Sequence, residues 1–325
     1  MKINAKRTLL ASVVLTFSAA EIVADEVQPI GTGRPDHQII YEVIEEGLSA
    51  LGYDNGEMLT AAYPAIHLSL GQGDAHYTAV HWKPLHNDYF NNSGGEDAML
   101  RAGPLYTEAM QGYFIDIKTA EAHGITKLEQ MKDPKIAALF DTDGDGKANL
   151  TGCNPGWGCE KVIEHHMDAY ELRDAINHDK GEYFALIANT IEQYQAGEPI
   201  FYTAWAPNWV MSVLAPGKDT VFLNAPFSSL PGDQGSDTEW PDGRNPGFGA
   251  NENYILVNKE FAEANPAVWT FFNGLRMPIA DLNALMDRVN AGEDSPEQIE
   301  QVGKDWIAAN QASFDALIAK AKTAK

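Results

Sequence analysis

Two cysteines, Cys153 and Cys159, bracket the turn-forming residues of Thr151-Gly-Cys-Asn-Pro-Gly-Trp-Gly-Cys-Glu160. The chain has no other cysteine, so these two pair with each other or not at all. No further cysteine completes a structural zinc set. Directly afterwards Val162, Ile163, His166, Met167 and Tyr170 recur at the three- and four-residue steps of a helix face. A glycine-rich loop therefore feeds a helix N-terminus, where backbone N–H groups lack partners and the helix dipole is positive. That is a seat for an anion. Trp157 stands beside it with an aromatic face for an apolar or cationic group. One small ligand carrying a carboxylate and a bulky cation satisfies both features.

Tryptophans recur where the chain turns. Of seven, Trp82, Trp157 and Trp205 lie at element ends next to glycine- or proline-containing turns. Three such residues with an anion-ready helix start suggest a box for a quaternary ammonium group, which aromatic faces hold by cation–π attraction. His86, four residues beyond Trp82, falls at the same edge. A structural core role is the bland alternative for Trp82.

Asp141-Thr-Asp-Gly-Asp-Gly146 has the spacing of a calcium loop, with Asn149 at the ninth position. Asp141, Asp143, Asp145 and Asn149 are the expected ligands of a structural calcium. Gly152 at the twelfth position removes the bidentate glutamate, so a regulatory EF-hand is not expected. The alternative is a solvated acidic turn. His165 and His166 are adjacent and cannot form the i,i+4 pair of a zincin helix; one is expected packed and one solvated. There is no Gly-x-Ser-x-Gly elbow, phosphate-binding loop or dinucleotide glycine pattern. No catalytic residue stands out, and an enzyme is not expected.

The 325 residues suffice for two ordinary domains or one large one. With 46 acidic against 23 basic residues the net charge is −23, which argues against nucleic acid or an anionic membrane surface as partner. Residues 1–24 read as a signal peptide: Lys2, Lys6 and Arg7 precede a short apolar run from Leu9 to Ala20, and small residues follow. The run is too short to span a membrane. Export makes a Cys153–Cys159 disulfide chemically reasonable.

The elements that must position these residues alternate. Helices are expected at 37–51, ended by Gly52, and at 61–70, broken by Gly71-Gln-Gly73. Strands are expected at 76–82, 112–117, 201–205 and 254–257. Pro84 is placed to open a helix. Further helices are expected near 127–132, at 159–176 and at 181–195, and again after 257; residues 224–252 form a long turn-rich region. The alternation predicts an α/β protein with a largely parallel sheet.

Ala79-Val-His-Trp-Lys-Pro-Leu-His86, Leu139-Phe-Asp-Thr-Asp-Gly-Asp-Gly-Lys-Ala148 and Leu150-Thr-Gly-Cys-Asn-Pro-Gly-Trp-Gly-Cys-Glu160 carry a specific resemblance. Pro216-Gly-Lys-Asp219 and Leu230-Pro-Gly-Asp233 fit it too. The chain closely resembles the periplasmic glycine betaine/proline betaine-binding proteins of the ProX type, the substrate-binding components of ABC importers, over nearly the whole segment after residue 24. The resemblance implies a two-lobed periplasmic binding protein of type II with the ligand cleft between the lobes. Lobe 1 would hold residues 25–115 and 255–325, and lobe 2 residues 116–254. It implies an aromatic box of Trp82, Trp157 and Trp205, with Trp205 preferred over its neighbour Trp209. It implies carboxylate contacts from the backbone N–H groups of Gly158 and Cys159 and from the His86 side chain, and a Cys153–Cys159 disulfide. The implied partners are a betaine and the permease subunits of an inner-membrane importer, the compartment is the periplasm, no cofactor is required, and a monomer is expected. His81, Lys83 and Asn208 depart from the family's pattern beside the box and leave ligand preference open. Dimethylsulfoniopropionate, choline and carnitine are alternative ligands; a secreted calcium-stabilised hydrolase is the distant alternative.

Overall fold

The computed structural model describes residues 26–232, 234–235 and 237–324; the expected signal segment 1–24 lies outside them. Among the described residues, seven strands form one sheet. They are β1 (Tyr77–Lys83), β2 (Met99–Asp116), β3 (Ala148–Thr151), β4 (Ile176–Asp179), β5 (Phe201–Ala206), β6 (Thr220–Leu223) and β7 (Asn251–Asn258). The order is β1-β7-β2-β5-β3-β4, with β6 also paired to β2.

The sheet is not largely parallel. β7 runs antiparallel to β1 and β2, and β2 antiparallel to β5 and β6; only the β3 pairings with β4 and β5 are parallel. The organising strand is β2, 18 residues long. Its residues 99–109 pair with β7, and its residues 110–116 with β5 and β6. One strand thus belongs to both halves of the molecule. Pro104, which has no N–H to give a ladder, sits where the register slips: Asn253 faces Tyr106 but Ile255 faces Ala102.

Helix α1 (Pro35–Leu51) buries Ile39, Ile40, Val43, Ile44 and Leu48. Gly52 ends it in the left-handed region, donating to Leu48 and Ser49 carbonyls, as its position in the sequence predicts. α1 packs on Pro296–Ala309 and Pro266–Gly274, near the first half of the sheet. α2 (Tyr63–Gln72) runs through Gly71 and stops at Gly73. Pro84 does not open a helix. It lies in a turn closed by the His86 N–H to the Trp82 carbonyl, and the next helix begins at Asn87.

In the second half, α3 (Gly158–Ala169) is shorter than expected; residues 170–175 turn, and β4 begins at Ile176. Leu172 N–H reaches back to the Met167 carbonyl and Glu171 takes a positive φ of 55°, a helix stop made without glycine. α4 (Tyr183–Ala196) follows. Residues 127–132 form a short 3-10 turn over Leu128–Lys132. Among the described residues no helix is long and apolar enough to cross a membrane.

Candidate functional site

Trp82 is the penultimate residue of β1. It is buried, 6 % exposed, and its Nε1–H donates to Tyr106 Oη at 3.0 Å, which fixes the indole plane. The turn that follows brings His86 back beneath it: Trp82 N–H donates to His86 Nδ1 at 3.2 Å. Burial holds the His86 imidazole well below its ordinary pKa, so the ring is neutral. With Nδ1 accepting, its proton resides on Nε2 and makes that atom a donor.

From the second half comes the start of α3. Cys153 and Cys159 form a disulfide with a Cα–Cα separation of 6.2 Å. Asn154 fastens the loop, accepting from Trp157 N–H through its carbonyl and from Tyr183 N–H through its side chain. Trp157 is the N-cap of α3, and Gly158 and Cys159 open the helix. A side chain at Gly158 would place its Cβ 2.5 Å from Leu85 Cγ, so glycine lets the turn of the first half rest against the helix start. Trp205, on β5 and 6 % exposed, meets Trp157 edge-on at 5.9 Å and lies 4.5 Å from the Tyr183 ring. Trp209 turns away and stacks on Phe184.

These groups line one cavity of about 360 Å³, counting the space at its open mouth. Trp82, His86, Trp157, Gly158, Cys159 and Trp205 are all in its wall. Sequence reasoning missed Arg34, His37, Tyr63, Leu85 and Gln111, which line it as well. Tyr63 packs on His86 at 4.4 Å and edge-on to Trp157 at 6.0 Å. Gln111, opposite Trp205 in the β2–β5 ladder, is buried, and its Oε1 has no hydrogen-bond partner among the described residues. The only available signal was that Arg34 and Tyr63 each precede a proline at a helix start.

Behind the wall lies a chain of buried imidazoles. Arg101 Nε–H donates to His81 Nε2 at 2.9 Å, so neutral His81 carries its proton on Nδ1 and donates to His67 Nε2, also at 2.9 Å. His67 then donates from Nδ1 to the Tyr63 carbonyl at 2.7 Å. Burial lowers the His67 pKa to about 4 and pushes His81 well below its usual value. His67, His81 and His86 approach closely enough to suggest a metal. However, the lone pairs of the first two are already used, and Arg101 adds positive charge.

Carboxylate oxygens of Asp141, Asp143 and Asp145 converge at the loop expected to take calcium. Asp141 accepts from Gly144 and Gly146 N–H, and these bonds hold its carboxyl below the ordinary range. Asn149 does not join them. Its Oδ1 accepts from Thr142 N–H and its amide donates to Asp179. His166 is buried, as expected of one of the pair, whereas His165 is not freely solvated: it is half-exposed with its Nε2 2.8 Å from Ser229 Oγ.

The sheet order, the long shared strand and the pocket between the halves define a two-lobed binding protein of type II, with its cleft between the lobes. The profile of the family described as the substrate binding domain of ABC-type glycine betaine transport system matches residues 25–309. The chain is 45% identical over 325 residues to the glycine betaine-binding periplasmic protein OusX of Dickeya dadantii, covering 97% of this chain and 98% of the relative. It is 45% identical to the glycine betaine/proline betaine-binding periplasmic protein of Escherichia coli, covering 92% and 91%. The lactococcal protein OpuAC, solved closed with glycine betaine, superposes with a TM-score of 0.69 at 18% identity, covering 90% of this chain and 99% of that one, which bears on the fold. The chain belongs to the family of substrate-binding domains of ABC-type glycine betaine transport systems, a family of transport proteins and not of enzymes.

Proposed function

We propose that this protein is exported, takes up glycine betaine or proline betaine in the pocket between its halves, and delivers it as a monomer to the permease subunits of an ABC importer in the inner membrane. The observation that carries this reading is the convergence of Trp82, Trp157 and Trp205 with His86 and the N-terminus of α3 on a single cavity. A trimethylammonium group has no N–H to donate, so indole faces and shape must hold it. Gln111 Oε1, buried without a donor among the described residues, suits the positive methyl rim of such a group. The carboxylate is assigned to the N–H groups of Gly158 and Cys159 and to His86. Charge-assisted bonds of this kind are about twice as strong as neutral ones. Together these contacts are consistent with micromolar affinity, about −8 kcal/mol.

The lobe division at 25–115 with 255–325 against 116–254 belongs to the same reading, and the change of partners along β2 supports a boundary through that strand. Because the two halves supply different walls, ligand shifts the population toward the closed form. Residues 1–24 act as the signal that sends the chain to the periplasm.

Calorimetric titration of the protein lacking residues 1–24 tests the reading, with glycine betaine first and choline and dimethylsulfoniopropionate as competitors. One-to-one betaine binding that Trp157→Ala abolishes is the expected result. Near-unchanged affinity in that variant would overturn the box. Tight binding of another onium compound alone would keep the fold and change the substrate. Asp141, Asp143 and Asp145 are proposed to hold a structural calcium; Asn149 would act there by fixing the loop through Thr142.

A further inference from the structure

The pocket already contains a cation. Arg34, the N-cap of α1, is 9 % exposed and reaches from the first half into the aromatic cluster of the second. Its guanidinium carbon lies 5.6 Å from the centre of the Trp157 ring, 5.4 Å from that of Trp205 and 4.8 Å from that of Phe184. All three distances are within cation–π range. A guanidinium does not lose its charge at any pH a protein tolerates. Two of these rings are the ones assigned to the ligand's onium group. Trp82, the third, is held by Tyr106 and has no such arginine contact among those described.

A second cation brought against Trp157 and Trp205 must therefore displace the guanidinium or accept its repulsion among largely buried side chains. Ligand charge decides how severe that is. A zwitterion brings a carboxylate that can pair with the displaced arginine, and its net charge is zero. A simple onium cation brings no such group. We propose that Arg34 is a specificity-determining residue, a tethered cation that competes with the ligand's onium group for Trp157 and Trp205 and so selects zwitterionic over net-cationic onium compounds. This rests on the betaine reading of the pocket and deepens it.

The test compares wild-type protein with Arg34→Ala, Arg34→Gln and Arg34→Lys by titration calorimetry, using glycine betaine, choline and tetramethylammonium as probes. Removing the charge is expected to tighten choline and tetramethylammonium binding by about tenfold, the order of magnitude of the cation–π contacts released. The choline-to-betaine affinity ratio should rise with it. Arg34→Lys, which keeps a cation in reach, should retain most of the wild-type ratio. Arg34→Gln keeps bulk without charge and gives the answer if the alanine variant folds poorly, which its thermal melt without ligand would reveal. An unchanged ratio in both neutral variants, or equal losses for all three probes, would overturn the proposal. Absence of betaine binding in the wild-type protein would instead remove the pocket reading itself, a separate outcome visible before any variant is made.

Discussion

Tyr89 Oη donates to the Gly156 carbonyl at 2.8 Å, a direct bond from the first half of the molecule to the loop that opens α3. Lys161 Nζ lies 4.1 Å from the centre of the same Tyr89 ring. Tyr89 therefore ties the two halves together without lining the pocket. Tyr89→Phe should weaken betaine binding about fivefold, the worth of about 1 kcal/mol for one hydrogen bond. The thermal melt without ligand should change little. Calorimetry on the variant checks this, and unchanged affinity would show that the bond does not contribute to closure.

Gly158 and Leu85 pack together across the two halves with no room for a further carbon between them. Gly158→Ala puts a methyl 2.5 Å from Leu85 Cγ and should hold the cleft ajar, with a loss of affinity above about tenfold. Trimming the neighbour should relieve it: the double variant Gly158→Ala, Leu85→Ala is expected to bind better than Gly158→Ala alone. Additive losses in that double-mutant cycle would place the damage elsewhere, in the helix start itself.

Reducing the Cys153–Cys159 bond releases a short loop. In the chain-entropy account such a closure stabilises by about 2 kcal/mol. Urea melts with and without reductant should differ by that order. Betaine affinity should fall as well, since the loop sets the direction of the first N–H groups of α3. A reduced protein with full affinity would assign the bond to stability alone.

Buried neutral imidazoles make stability depend on pH. Burial depresses His67 from 6.5 to about 4 and His166 from 6.5 to about 3, and lowers His81 and His86 in the same direction. Since their folded values lie below the unfolded one, the unfolded chain binds more protons on acidification. The stability they confer is whole above about pH 6.5 and is lost as pH falls toward about 4 and then 3, each group costing about 1.4 kcal/mol per pH unit in its window. Glu42 acts oppositely: burial, with Glu45 nearby, raises it from 4.5 to about 7, so its contribution is present below 4.5 and lost as pH rises through about 7. Four imidazoles outweigh one carboxyl. Denaturant melts should show lower stability at pH 5 than at pH 7, and Glu42→Gln should steepen the difference. A flat profile would contradict the neutral histidine assignments.

Calcium is checked by melting the protein in chelator and in millimolar calcium. An upward shift that Asp143→Asn removes is expected if the three aspartates hold the ion. An unshifted melt would leave the loop to its own N–H bonds.

The stretch from Thr151 to Glu160 was legible because every signal in it is local: one cysteine pair, turn-forming glycines and a helix face that follows at once. The placing of Trp82, His86 and Trp205 in the same wall was suggested by their positions at element ends beside turns and sharpened by resemblance to a family; periodicity did not carry it. Arg34 was not legible, because its partners lie more than a hundred residues away and a Gly-Arg-Pro turn carries no sign of them. The antiparallel sheet was hidden for a physical reason. Most of β2 was overlooked because Gly103-Pro104 interrupts it, and without that long strand the remaining pieces alternate with helices as if they were parallel units. The end of α3 escaped because Glu171, not a glycine, takes the left-handed turn.

β1 and β2 do not touch each other in the sheet; β7, made from residues 251–258, is inserted between them. The first half thus lacks its central strand until the ribosome has passed residue 258, and both neighbours present open edges until then. Folding of that half must wait for most of the polypeptide, which is the order of events that the proposed export, through a channel that admits only an unfolded chain, would require.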